Sequence, residues 1–133
     1  RNLIVIDDFL MESKKSDVLK DLFISSRHKN TSIIFISQSF HTSPDIIRKN
    51  CNYFVLFRVA QNREVIEISQ QLAYNIDYDT FKELFKEITS KKFGFMVIDR
   101  SDMASEYPPL QYREGFDKLI EFEEDNPDEP LAQ

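Results

Sequence analysis

The sequence has 133 residues, 41% of them hydrophobic, which is enough for one core and too few for two domains of ordinary size. With 23 acidic and 17 basic side chains it carries a net charge of −6, which argues against a generic basic nucleic-acid binder. The single cysteine, Cys51, closes no intrachain disulfide, no apolar run nears the roughly 18 residues that span a bilayer, and the opening RNLIVIDDF is unlike a signal peptide. Secretory and membrane roles are disfavoured, and a reducing, intracellular compartment is expected. The chain opens inside a strand pattern without an initiator Met, and is read as the later part of something longer.

In chain order, residues 3–6 (LIVI) form a short apolar run closed by Asp7-Asp8, the pattern of a strand buried on both faces. Ser16 then opens a helix with Val18, Leu19, Leu22 and Phe23 as its apolar stripe, ending near residues 27–30 (RHKN). Residues 33–36 (IIFI) give a second strand that ends in Ser37-Gln38-Ser39. Ser43-Pro44-Asp45 reads as an N-cap, a Pro at the first helical position and a first-turn acid, opening a short helix over 46–49. Residues 53–57 (YFVLF) form a third strand ending at Arg58, and Val65, Ile68 and Leu72 place a helix over 62–72. Asp79 is the expected cap of the next helix, with Phe81, Leu84, Phe85 and Ile88 at helical spacing. Residues 93–98 form the fourth strand with Gly94 inside it, and residues 110–112 after Pro108-Pro109 form an edge strand. Six acids and no Lys or Arg fall in residues 121–133, so the chain is divided into a folded part, 1–120, and an acidic, disordered tail, 121–133.

Strands alternating with helices predict an α/β fold with a mainly parallel sheet flanked by helices, and such sheets bind ligands beyond the carboxyl ends of their strands. Those ends are Asp7-Asp8, Ser37-Gln38-Ser39, Arg58 and Asp99-Arg100, a set suited to Mg²⁺ and phosphate. Four apolar residues followed by two acids have the form of a Walker B element, although a strand ending in an acidic turn gives the same string.

Taken as an ordered series, LIVIDD, SSRHKN, IIFISQS and PDIIRKN followed by YFVLF resemble the DNA-packaging ATPases of large DNA viruses, the poxvirus-type branch of the FtsK–HerA superfamily. The resemblance covers about residues 3–70. It implies a P-loop NTPase-like sheet with ATP and Mg²⁺ as cofactors. Asp7 would hold Mg²⁺ and Asp8 would orient the attacking water, although many related motors use Glu there. Gln38 would sense the γ-phosphate or that water, in cofactor binding and catalysis alike; otherwise it is a polar cap on a strand end. Arg27 would be an arginine finger reaching a neighbouring subunit, or else a cation at a helix end. Arg48 and Asn50 match the series but also suit a helix cap and a loop tie, and His28 and His41 lack the spacing of a zinc site. The implied partners are a homo-oligomeric ring, double-stranded DNA and viral capsid or portal components, with no membrane, in a viral factory of the host cytoplasm or in the virion.

The sequence contains no GxxxxGK[ST], and its two glycines, Gly94 and Gly115, cannot build a phosphate-cradling loop. The reading is therefore a motor domain from Walker B onward, lacking the Walker A strand and loop and inactive alone. If the fold is as in relatives, the absent strand belongs between those at 33–36 and 53–57, leaving unpaired edges and exposed apolar surface. Two alternatives stand beside it. A phospho-receiver also begins with a strand ending in two acids, but its third strand should end in Asp where YFVLF ends at Arg58, and the Lys it needs is absent. A degenerate, non-catalytic interaction module accounts for the missing loop.

Overall fold

The computed structural model describes residues 1–7, 16–101 and 110–122. Along these residues run β1 (Asn2–Asp7), α1 (Ser16–Ser26), β2 (Thr31–Ile36), α2 (Asp45–Asn50), β3 (Tyr53–Leu56), α3 (Asn62–Leu72), α4 (Tyr78–Ser90), β4 (Met96–Asp99), β5 (Gln111–Glu114) and β6 (Lys118–Ile120).

The apolar runs LIVI and IIFI lie in β1 and β2, which pair in parallel from Asn2 opposite Thr31 to Asp7 opposite Ile36. A parallel neighbour requires a crossover, and α1 supplies it. A single 3-10 turn, Arg27–Lys29, and Asn30 at φ 49° redirect the chain from α1 into β2. Asn suits that left-handed position because its short polar side chain tolerates it. Ile6, Ile33 and Phe35 pack against Leu19, Leu22 and Phe23 of α1 and Ile47 of α2. The opposite face, Leu3, Val5, Ile34 and Ile36, is exposed. Burial on both faces was the expectation from these strings; among the described residues only one face is covered. Val18, expected on the inner stripe of α1, is also exposed, and Leu19 takes the inner position.

The second sheet has the order β3-β4-β5-β6, and every neighbouring pair in it is antiparallel. The expected mainly parallel sheet is thus corrected to a mixed α/β fold with one parallel pair and one antiparallel sheet. The cause is the connection between β3 and β4. One helix carries a chain back to the edge where the preceding strand began and so gives a parallel neighbour. Here α3 and α4 carry it back and forth, so β4 enters reversed. Of residues 110–112, expected at an edge, Gln111 and Tyr112 begin the interior strand β5, where Tyr112 is buried and its hydroxyl donates to Asn75 Oδ1. The outer strand is β6.

Val65, Ile68 and Leu72 of α3 and Phe81, Phe85 and Ile88 of α4 form the main core with Phe54, Met96, Ile98 and Tyr112. Asp77 caps α4, its Oδ1 accepting from the Thr80 N–H at 2.9 Å, whereas the expected cap Asp79 lies in the first turn. Likewise Pro44, not Ser43, is the N-cap of α2, and the Ser43 hydroxyl instead donates to Ser39 O at 2.9 Å. Gly94 precedes β4 rather than lying inside a strand. A Cβ there would sit 2.1 Å from Ile88 O, so the end of α4 requires glycine for close approach.

Cys51 packs against both cores. Burial pushes its thiol pKa up, opposed by the Arg100 charge, so Cys51 is a packing residue rather than a nucleophile. Arg48 of α2 donates to Glu67 Oε1 at 2.9 Å and Gln71 Oε1 at 3.1 Å on α3. These contacts tie α2 to α3, and in the second sheet Tyr53 and Val55 of β3 are exposed. Within the described residues β2 and β3 are not paired with each other.

Candidate functional site

The parallel register places the carboxyl ends of β1 and β2 at one edge. Asp7 is the last residue of β1, opposite Ile36, and is exposed; Gln38 lies two residues beyond Ile36, in the bend that follows β2. The structure thus brings two of the predicted site residues to one edge. Asp8 lies outside the described residues. Among those described, no three His, Cys, Asp or Glu side chains cluster closely enough to hold a metal ion.

Residues 37–43 form a tight polar loop. Ser37 Oγ donates to Ser39 O at 2.9 Å, Ser43 N–H donates to Phe40 O at 3.2 Å, and the Ser43 hydroxyl closes on Ser39 O. This loop is tied to the first turn of α3. Ser39 Oγ donates to Glu64 Oε1 at 3.0 Å, and the Phe40 N–H donates to the same oxygen. The Phe40 ring meets Phe54 edge-on, with ring centres 6.4 Å apart, and the Arg48 guanidinium lies 5.1 Å from its centre. Because α3 follows the end of β3, these contacts set the carboxyl ends of β2 and β3 on the same side.

One α3 turn further on, Glu67 accepts from His41 Nδ1 at 2.9 Å and from Arg48. The hydrogen bond from His41, and then the Arg48 guanidinium, hold its carboxyl below the usual carboxylate range. Arg48 thereby joins α2 to α3, and Asn50 Nδ2 donates to Ile46 O at 2.7 Å to close α2, the structural roles that the sequence left open for both residues.

Other predicted residues are not gathered at this edge. Arg27 lies in the turn before β2, at the end where β1 and β2 begin, roughly 17 Å of strand from Asp7. Asp99-Arg100 are corrected outright: β4 is reversed, so Asp99 opposes Tyr53 at the start of β3, and the Arg100 N–H donates to Asn52 O at 2.7 Å. A cleft of about 240 Å³ lined by Asp45, Arg48, Lys49, Gln71, Leu72 and Arg100 opens beside that start of β3, away from Gln38. Sequence reasoning missed Glu64 and Glu67. Both read as ordinary acids on a solvated helix, and no local signal marks a partner more than 20 positions away.

A family model described as Poxvirus A32 protein matches residues 1–117. A search of curated proteins finds no match. Among solved structures, the chain is similar to the DNA-packaging ATPase B204 of Sulfolobus Turreted Icosahedral Virus, with a TM-score of 0.59 and 17% identity over 83% of this chain and 50% of that one. The genome packaging NTPase B204 of Sulfolobus turreted icosahedral virus 2 matches equally well in complex with AMPPCP. In complex with ATP-gammaS it matches with a TM-score of 0.55 and 15% identity over the same shares. At such identity the likeness establishes the fold. The chain spans about half the length of the packaging NTPases it matches.

Proposed function

The chain belongs to the Poxvirus A32 protein family, and from that premise we propose that it is the part, from Walker B onward, of an ATP-driven motor that moves double-stranded DNA into a viral particle. The observation that carries this reading is the parallel register of β1 and β2, which sets the exposed carboxylate of Asp7 and the pinned loop of Gln38 at one sheet edge. On this reading the fold is P-loop NTPase-like. The strand with the phosphate loop, on the same or another polypeptide, lies between β2 and β3, which are not paired with each other among the described residues.

Asp7 fits a Mg²⁺ ligand. That ion binds through one or two carboxylates with water and phosphate oxygens rather than through an all-protein cage, and Asp7 is an exposed carboxylate outside any ligand cluster among the described residues. When bound, Mg²⁺ supplies charge neutralisation to the phosphates. Asp8 orients the attacking water and takes its proton. The Gln38 amide donates to a γ-phosphate oxygen or holds that water. Arg27, at the far end of the β1–β2 pair, acts on a neighbouring subunit's nucleotide in a ring, where its guanidinium offsets charge on the transferred phosphoryl. The partners are double-stranded DNA and the capsid or portal assembly, and the site of action is the viral factory or virion.

In an assembly that includes the phosphate-loop segment, Asp7→Asn weakens metal-dependent nucleotide binding, while Asp8→Asn preserves binding and lowers turnover by roughly 10²–10⁴. Unchanged binding and turnover in both variants would sink the assignment.

A further inference from the structure

We propose that Glu64 is a positioning residue for Gln38, fixing from the first turn of α3 the loop that presents the Gln38 amide to the nucleotide; this rests on the motor reading above. One carboxylate oxygen, Oε1, accepts both the Ser39 hydroxyl at 3.0 Å and the Phe40 backbone N–H, the two residues that directly follow Gln38. A carboxylate receiving two donors makes stronger hydrogen bonds than a neutral acceptor. The Gln38 side chain is exposed, and none of the described residues holds its amide by a hydrogen bond. Its location is therefore dictated by backbone, and the backbone next to it is held on one side by the end of β2 and on the other by Glu64.

The remaining contacts sharpen that assignment. Ser37 Oγ and Ser43 Oγ both donate to Ser39 O at 2.9 Å, which makes the loop stiff within itself but does not locate it relative to β3. The Phe40 ring on Phe54 and the His41–Glu67 bond anchor the farther part of the loop. Glu64 is the tether adjoining Gln38, and it sits on the helix that starts just beyond β3. Removing it frees the residues that set the amide's height above the sheet edge without emptying any core position. Misplacement of a catalytic contact by about 1 Å can cost on the order of 10²-fold in rate.

The test compares E64A, E64Q, Q38A and the double variant E64A/Q38A in an assembly that hydrolyses ATP. E64A should lower kcat by roughly 10- to 100-fold with KM within about 3-fold of wild type. E64Q, which keeps an oxygen able to accept both donors, should recover to within about 3-fold. Because Glu64 acts through Gln38, the double variant should be no slower than Q38A alone. In the 133-residue chain itself, amide exchange at Phe40 should quicken in E64A, return toward wild type in E64Q, and leave Ile68 and Phe85 protected, which shows that the variant is folded. Wild-type turnover in E64A, multiplied losses in the double variant, or unchanged exchange at Phe40 overturns the proposal. A wild-type assembly that hydrolyses no ATP overturns the motor reading and the catalytic side of this inference with it, while Phe40 exchange still decides the tether.

Discussion

Two isoleucines in the smaller sheet unit make the uncovered face measurable. Ile47 is 3% exposed within the core between α1, α2 and the β1–β2 pair, whereas Ile34, on the other side of β2, is 48% exposed. Truncating either to Ala removes three carbons, each contributing about 0.8 kcal/mol when fully buried. For Ile47 the transfer loss of about 2.4 kcal/mol is joined by a cavity cost, giving about 3 kcal/mol, within the 2–5 observed for such changes. For Ile34 about half of the side chain is already in water, which leaves a cost of about 1 kcal/mol. Urea unfolding at two protein concentrations reads the contrast. With m of about 1–3 kcal/mol/M, the midpoint of Ile47→Ala should fall roughly 1 M further than that of Ile34→Ala. Equal falls would refute the reasoning, because they would mean that the Leu3, Val5, Ile34 and Ile36 face is covered in solution.

Gly94→Ala forces a Cβ to within 2.1 Å of Ile88 O and 3.0 Å of Lys91 O, both backbone atoms. A cost of about 1–3 kcal/mol should lower Tm by about 4–11 °C, and an unchanged Tm would show that the end of α4 moves freely. Glu114 is held by the Lys118 ammonium at 2.6 Å and by Lys91, which lower its pKa to about 2. A carboxyl depressed on folding contributes stability that is present above its unfolded pKa of about 4.3 and lost as pH falls through the folded value, so this cluster should persist at pH 4 and dissolve near pH 2. An NMR titration of the Glu114 carboxyl with a midpoint near 4 would contradict it.

The strings LIVI and IIFI were legible as strands because four consecutive apolar residues closed by polar ones fit few other structures, and their shared direction followed from the single helix between them. The shared edge of Asp7 and Gln38 was legible for the same reason, since the ends of parallel neighbours must lie together. The reversal of β4 is not legible in its own residues, although both helices between it and β3 show their helical spacing. An apolar run such as FMVI carries no direction, and only the number of crossings between strands does. Caps slipped by one or two positions where several acids or a Ser-Pro pair competed, as at Asp77 and Asp79, or at Ser43 and Pro44. Glu64 and Glu67 were invisible for a different reason. Their partners lie in a loop on another element, and that proximity exists only once the loop after β2 meets the first turns of α3.

The most direct measurement is ATP hydrolysis with and without double-stranded DNA, by this chain alone and by an assembly that includes the phosphate-loop segment. The account predicts no turnover by the isolated chain, because the backbone cradle and Lys for the phosphates are not among its residues, and DNA-stimulated turnover by the assembly that collapses in Asp8→Asn. A verified oligomer with an intact phosphate loop that fails to hydrolyse ATP in the presence of double-stranded DNA would contradict it.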